Sequence, residues 1–470
     1  MKKTIALILA FMMCGSLLSG CSAGGDGKET PQGSRESNAA ENKPAAAETP
    51  EPVPTEEPSG TFTFTYKDGV LTISGRGVLD LDAMKECGAY DVLRAEDVPD
   101  VQVVLEKGVT EIGQSAFVSC PTLTSVTIPE GVTAIGDAAL SDCPALTSVV
   151  IPEGVTAIGR VAFSLCTGLT SVTIPEGVTE IGYRAFYKCS SLTSVVIPEG
   201  VMRIEQEIFD GCQALTSATI PESVTVIEKH AFSGCGLMSV TIPEGVTEIG
   251  DGAFGGCKSL ASVAIPNGVT EIGESVFSGC AGLTSVTIPE NVTKIGRFAF
   301  GGCESLTSII LPVNLTEIGD RAFYSCAGLT SVTLPERVTE IGEGTFYGCS
   351  NLASMTIPEG VAEIRKETFC HCTGLADVTI PGSVTIIGED AFYNCRLASV
   401  TIPEGVAELE KYAFFNCDLL TSVTIPESMA KIGKSAFGGC DRLYDVTIPN
   451  PDTVIEDGAF DSRVTIQYGD

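Results

Sequence analysis

Cysteine is the residue type in this chain that most invites a chemical reading. Fifteen of the 19 cysteines fall on one grid, Cys120, Cys143, Cys166, Cys189, Cys212, Cys235, Cys257, Cys280, Cys303, Cys326, Cys349, Cys372, Cys395, Cys417 and Cys440. The step is constant except from Cys235 to Cys257 and from Cys395 to Cys417, where it is one position shorter. Thiols at fixed spacing can pair as disulfides or ligate zinc. Pairing uses cysteines in twos and fifteen is odd; a disulfide also needs Cα atoms about 4.4–6.8 Å apart. The one place where a second thiol joins a histidine, Cys370-His371-Cys372, cannot close a tetrahedral zinc site from three adjacent residues. One cysteine per repeat, three positions after a phenylalanine, reads instead as a reduced, buried small hydrophobe. No metal site is expected.

Other chemistry is poorly supplied. His230 and His371 are the only two histidines, which leaves little material for imidazole catalysis. The chain shows no Ser/His/Asp order, no phosphate-cradling glycine loop and no isolated acid pair. Sixty acidic against 28 basic residues give a net charge of −32. That balance excludes nucleic acid, whose binding rests on neutralising phosphates, and disfavours basic adhesion to anionic lipid. A repeated glutamate (Glu130, Glu153, Glu176, Glu199) lacks the mixed carboxylate and carbonyl loop of a dedicated cation site and reads as a solvated rim. The expectation is a protein without catalysis and without a cofactor.

The elements that carry these residues are copies of one unit. From about residue 101 onward the chain repeats a sentence such as Leu169-Thr170-Ser171-Val172-Thr173-Ile174-Pro175-Glu176-Gly177-Val178-Thr179-Glu180-Ile181-Gly182-Tyr183-Arg184-Ala185-Phe186-Tyr187-Lys188-Cys189. A fixed period of this size signals a solenoid whose coils bury one another. Val172 and Ile174 point inward from a short strand, Ser171 and Thr173 outward. Pro175 ends the strand, with Pro-Glu-Gly expected at positions two to four of a turn. Val178 and Ile181 add core contacts, and Ala185–Cys189 is expected to be a single helical or 3₁₀ turn. Both short steps lose their residue between Cys and Leu (Cys235-Gly236-Leu237, Cys395-Arg396-Leu397), which marks a loop tolerant of indels.

The run I-P-x-x-V-x-x-I-G-x-x-A-F-x-x-C, as from Ile128-Pro129 to Cys143 with Leu140 in place of Phe, resembles the repeat of BspA-type (Treponema pallidum-type) bacterial leucine-rich-repeat surface proteins. The resemblance implies an α/β repeat solenoid: a right-handed leucine-rich-repeat horseshoe with one short parallel strand in each coil of the cysteine period. It also implies an N-terminal β cap over 61–100, where Gly60–Phe64 and Gly69–Gly77 read as a hairpin, ahead of a solenoid over 101–470. The last unit, Val454 to Tyr468, lacks the cysteine and is expected to close the far end. Partners implied by the family are host matrix or mucosal proteins, or other bacterial surfaces.

The N-terminus predicts how such a domain is held. Lys2 and Lys3 precede the apolar stretch Ile5–Leu18, too short to span a bilayer as a helix. Leu18-Ser19-Gly20-Cys21 resembles a bacterial lipobox, which implies a signal peptide over 1–20 and lipidation of Cys21. Acyl chains would then be the membrane's only hold on the protein, leaving it surface exposed. Residues 21–60, rich in Pro, Ala and Glu, bury too little to fold and are expected to serve as a tether.

Two faces are candidates for binding. On the concave strand face, Ser171, Thr173, Ser194, Ser217, Thr219, Ser239, Thr241, Ser285 and Thr287 form outward hydroxyl columns. On the convex side, Tyr187, Tyr324, Tyr347 and Tyr393 follow the core phenylalanine, and exposed aromatics favour recognition. The leading expectation is an adhesin that recognises extracellular proteins through an extended repeat surface. A glycan-binding or cell-envelope scaffold protein is the alternative.

Overall fold

The computed structural model describes residues 61–469 apart from Glu96. The signal peptide, the tether and Cys21 lie outside the described residues. Chain order begins with β1 (Thr63–Lys67), β2 (Val70–Ser74) and β3 (Gly77–Leu79). Two six-residue helices follow, α1 (Leu81–Glu86) and α2 (Ala89–Arg94). Asp80 caps the first, its carboxylate accepting from the Ala83 N–H at 2.9 Å. β1 pairs antiparallel with β2.

Every later coil stacks in parallel on the one before. β4 (Val101–Leu105), β5 (Val109–Ile112) and β6 (Leu123–Thr127) start two ladders. β2, β4 and β6 belong to the ladder that continues through Ser148–Val150 and Ser171–Thr173. β3 and β5 begin a second ladder, continued by the two-residue strands Ala134–Ile135, Ala157–Ile158 and Glu180–Ile181. Pleating explains both. In each coil Ser171 and Thr173 or their equivalents face water, while Val178 and Ile181 or theirs are buried. The second ladder goes beyond the sequence reading, which gives Val178 and Ile181 a place in the core but no strand.

Between the ladders and the far wall runs a column of phenylalanines. From Phe163 to Phe460 consecutive rings stack with centroids 5.0–5.7 Å apart. The rings from Phe163 to Phe437 are wholly buried, as is Phe117. At the end of the chain Asp445–Ile448 pairs with Thr465–Tyr468, and Phe460 stacks on Phe437 at 5.1 Å.

Two local expectations are corrected. The far wall is not a helical turn. Arg184 and Lys188 sit at φ 55° and 56°, in the left-handed region that breaks a helix. Along it the N–H groups alternate partners. Ala185, Tyr187 and Cys189 donate within the coil, to the carbonyls of Gly182, Arg184 and Phe186; Arg184, Phe186 and Lys188 donate to Gln206, Ile208 and Asp210 of the next coil. The physical reason is width, because an α-helix with side chains is about 10–12 Å across and cannot stack at this pitch. Helix among the described residues is therefore confined to α1 and α2, and the expected repeat solenoid, with its short parallel strand in each coil, carries little helix. The second correction is one of register. The proline turn closes with the Val178 N–H donating to the Pro175 carbonyl at 3.1 Å, so proline stands first in it rather than second.

Candidate functional site

The strand face gathers the predicted hydroxyls. Ser194 lies opposite Ser217, and Ser285 opposite Ser262. Ser171, Thr173, Ser194, Ser217, Thr219, Ser239, Thr241, Ser285 and Thr287 are all exposed. The columns are not uniform. Ser239 and Thr241 lie outside any strand, in the coil that is one residue short at Gly236. Val150 lies beside Thr173 and Val196 beside Thr219, 72% and 59% exposed, so the hydroxyl surface carries apolar studs.

Sequence reasoning misses a further hydroxyl column. Thr170, Thr193 and Thr216 stand just before the strand serines, and each Oγ1 donates to a carbonyl of the preceding coil at 3.0–3.3 Å. Thr133, Thr156, Thr247 and Thr293 do the same beside the second ladder at 3.2–3.4 Å. These threonines hold coils together and so are not free for a ligand. Their recurrence once per repeat is visible in the chain; what a hydroxyl one place before the strand would touch is not.

On the turn face the four tyrosines are half-buried rather than exposed, and they separate into two groups. Tyr324 and Tyr347 stack at 5.0 Å, His371 bridges Tyr347 and Tyr393 at 5.4 and 5.3 Å, and Tyr393 stacks on Phe415 at 5.3 Å. Phe298 meets Tyr324 edge-on at 5.9 Å. The ring faces in the Tyr324–Tyr347 and Tyr393–Phe415 stacks cover one another, so the ribbon offers edges and hydroxyls rather than open platforms. Tyr187 sits apart, under the cations of Arg184 at 4.8 Å and Lys188 at 4.9 Å. Arg184 is fixed in turn by the buried Glu207, with Nε–Oε2 at 2.8 Å.

Charges on the second ladder pair between coils. Lys294 Nζ lies 3.1 Å from Glu317 and 3.9 Å from Glu271, and Lys431 lies 2.9 Å from Glu408 and 3.3 Å from Glu456. Such exposed pairs contribute little to stability, but they break up the acidic field along this edge.

All 17 described cysteines are free thiols, and the fifteen on the grid are buried. From Cys143 to Cys440 each grid sulfur has a partner one coil back: Cys189 Sγ donates to the Phe163 carbonyl at 3.1 Å, and Cys326 to that of Phe300 at 3.1 Å. Burial pushes the Cys189, Cys280 and Cys440 thiols up to about 12. A thiol held neutral in this way is a poor nucleophile. The ladder is a packing device with one satisfied polar group per rung.

Comparison with known proteins gives a consistent picture. The family model described as "BspA type Leucine rich repeat region (6 copies)" matches residues 101–216, 179–297, 271–395 and 362–468. A leucine-rich-repeat protein from Bacteroides ovatus is 29% identical, with 88% of this chain and 100% of that one covered, at a TM-score of 0.64. A leucine-rich cell-surface protein from Faecalibacterium prausnitzii is 26% identical over 89% of this chain and 95% of its own, at a TM-score of 0.41. The T. pallidum leucine-rich-repeat protein is 26% identical, covering 52% of this chain and 88% of its own, at 0.27. No curated protein matches the chain. Among the described residues no helix is long and apolar enough to cross a membrane.

Proposed function

On the premise that this chain belongs to the BspA-type leucine-rich-repeat family, we propose that it is a cell-surface adhesin that holds extracellular protein partners through its strand face. Repeat proteins of this type are typically non-catalytic binding scaffolds, presenting many weak contacts on one extended surface. The observation that carries the reading is the pair of exposed Ser and Thr columns, held in register by the ladder and studded by Val150 and Val196. A partner would find hydrogen-bonding groups and isolated apolar contacts repeated at every coil, so that avidity accumulates along the array. Host matrix proteins, mucosal proteins and other bacterial surfaces are the proposed partners.

The test is direct. The chain binds immobilised matrix proteins or mucins, and the triple variant T173K/T219K/T241K weakens that binding at least about tenfold, roughly 1.4 kcal/mol. All three threonines are exposed, so circular dichroism stays unchanged. Full binding by the triple variant would move the site to the turn face, and binding to none of these surfaces would end the adhesin reading.

Attachment is proposed through acyl groups on Cys21. In the expressing bacterium the wild-type chain fractionates with membranes, and Cys21→Ala releases it into the soluble extracytoplasmic fraction. Membrane retention of that variant would rule lipid anchoring out.

A further inference from the structure

One coil breaks the repeat more than its neighbours do. Where the preceding coil reads Val178-Thr179-Glu180-Ile181-Gly182, this one reads Val201-Met202-Arg203-Ile204-Glu205, and Ile208 replaces the small alanine before the core phenylalanine. The glycine has a packing reason. A Cβ at Gly182 would stand 2.6 Å from the Arg160 nitrogen of the coil before, and one at Gly159 would stand 2.6 Å from the Asp137 nitrogen. Its absence lets the backbones close, and the N–H groups of Gly159 and Gly182 donate to Ile135 and Ile158 at 2.7 and 2.8 Å. The corresponding bond from the Glu205 N–H to the Ile181 carbonyl is missing among the described residues. The second ladder stops at Glu180–Ile181 and restarts at Arg203–Ile204. On the turn face the same two coils stay joined, by the N–H of Phe186 to the Ile208 carbonyl at 3.0 Å. One coil later Glu228 makes its ladder bond at 2.9 Å. The second ladder breaks in the same way between Ile249 and Glu271, where Gly273 keeps the glycine, and between Ile341 and Glu363, so what sets this opening apart is the side chains that line it.

That opening is a cavity of about 560 Å³ lined by Arg160, Glu180, Tyr183, Glu205 and Gln206. Its volume falls within the roughly 300–1,000 Å³ of small-molecule sites. The lining is preorganised. The Arg160 backbone N–H donates to Asp137 Oδ1 at 2.6 Å, and its guanidinium lies 5.6 Å from the Tyr183 ring. Arg184 lies 4.9 Å from the same ring and is tied to Glu207, to which the Gln206 amide donates at 2.9 Å.

We propose that this notch binds one sugar unit of a neutral saccharide. Charge decides the class. An anion would meet the Glu180 and Glu205 carboxylates on a chain of net charge −32. A cation would meet the Arg160 guanidinium, which has no carboxylate partner among the described residues. A neutral polyol suits both walls: its hydroxyls donate to the carboxylates and accept from the guanidinium, and its C–H groups lie against the phenol ring. The inference rests on the surface-binding reading only for the origin of the sugar, and it does not involve the strand-face threonines.

The test uses the full chain with lactose, maltose and N-acetylglucosamine as neutral probes, and 3′-sialyllactose and spermidine as charged ones, read by saturation-transfer NMR. At least one neutral probe binds, with a dissociation constant on the order of millimolar. Glu205→Gly removes one of the two lining carboxylates that would accept from the sugar and lowers that affinity at least tenfold, with circular dichroism unchanged. Tyr183→Ala lowers it as well. Arg365→Gly, at the equivalent position of a coil bridged by the Arg365–Glu340 pair at 3.7 Å, leaves it unchanged. The proposal is overturned if no neutral probe binds, if only a charged probe binds, or if E205G binds as the wild type does. T173K/T219K/T241K should retain the sugar, so failure of the adhesin reading and failure of this one give different results.

Discussion

Raising the pH from 8 toward 10.5 unfolds this solenoid. Burial is the main reason that fourteen of the fifteen ladder thiols are held above their ordinary value of 9.0, three of them at about 12. In the unfolded chain the same groups ionise near 9. Above that pH the unfolded state binds fewer protons than the folded one, so stability falls as pH rises. It is fully present below pH 9 and is lost between about 9 and 12, by about 1.4 kcal/mol per pH unit for each thiol. Over the whole ladder the slope is on the order of 20 kcal/mol per pH unit, against a stability of about 5–15 kcal/mol for an ordinary domain. Far-UV circular dichroism under reducing conditions should show a steep alkaline transition, with proton release on unfolding. Replacing Cys257, Cys280 and Cys303 together by alanine should make it shallower, even though the cavities lower stability at pH 7. A signal that is flat to pH 11, or an unchanged slope in the variant, would refute this account of the ladder.

Phe277→Ala costs about 3–5 kcal/mol, the usual penalty for emptying a phenylalanine site in a core. Phe277 is wholly buried and stacks at 5.7 Å on Phe254 and 5.6 Å on Phe300. In a solenoid each coil touches only its neighbours, so the loss falls on two interfaces and weakens the coupling between the two halves of the array. Calorimetry should show the single transition broadening or splitting. Phe277→Leu is the matched control, because Leu140 already fills the same position in its own coil and is fully buried there; its cost should stay below about 1.5 kcal/mol. A melting curve for the alanine variant that overlays the wild type would show that the column is not what couples the coils.

Much of this architecture is legible in the sequence, for a physical reason. Each coil solves the same packing problem, so period, strand, inward phenylalanine and buried thiol are all repeated and reinforce one another. What escapes is whatever depends on the distance between coils. The 5.0–5.7 Å ring spacing forbids a helix at Ala185–Cys189, and no residue type announces that spacing. The turn-face ribbon shows a subtler limit. One full repeat on from Tyr347 the chain arrives at Cys370, which is buried; the ring that continues the stack belongs to His371, one place later. The notch at Glu205 stays hidden because it arises from a contact that fails to form.

The inter-coil bonding also makes the array a ruler. Because the paired strands of neighbouring coils stack in one register, the whole coil is the unit by which the array can grow or shrink. Gain or loss of one whole repeat therefore changes the reach of the domain by one ring spacing, 5.2 Å between Phe163 and Phe186 and 5.0 Å between Phe392 and Phe414, and leaves each remaining surface as it was. Glu205 marks a position on that ruler. Repeats added before it would carry the notch farther from the N-terminus in the same fixed steps, and repeats added after it would leave that distance unchanged.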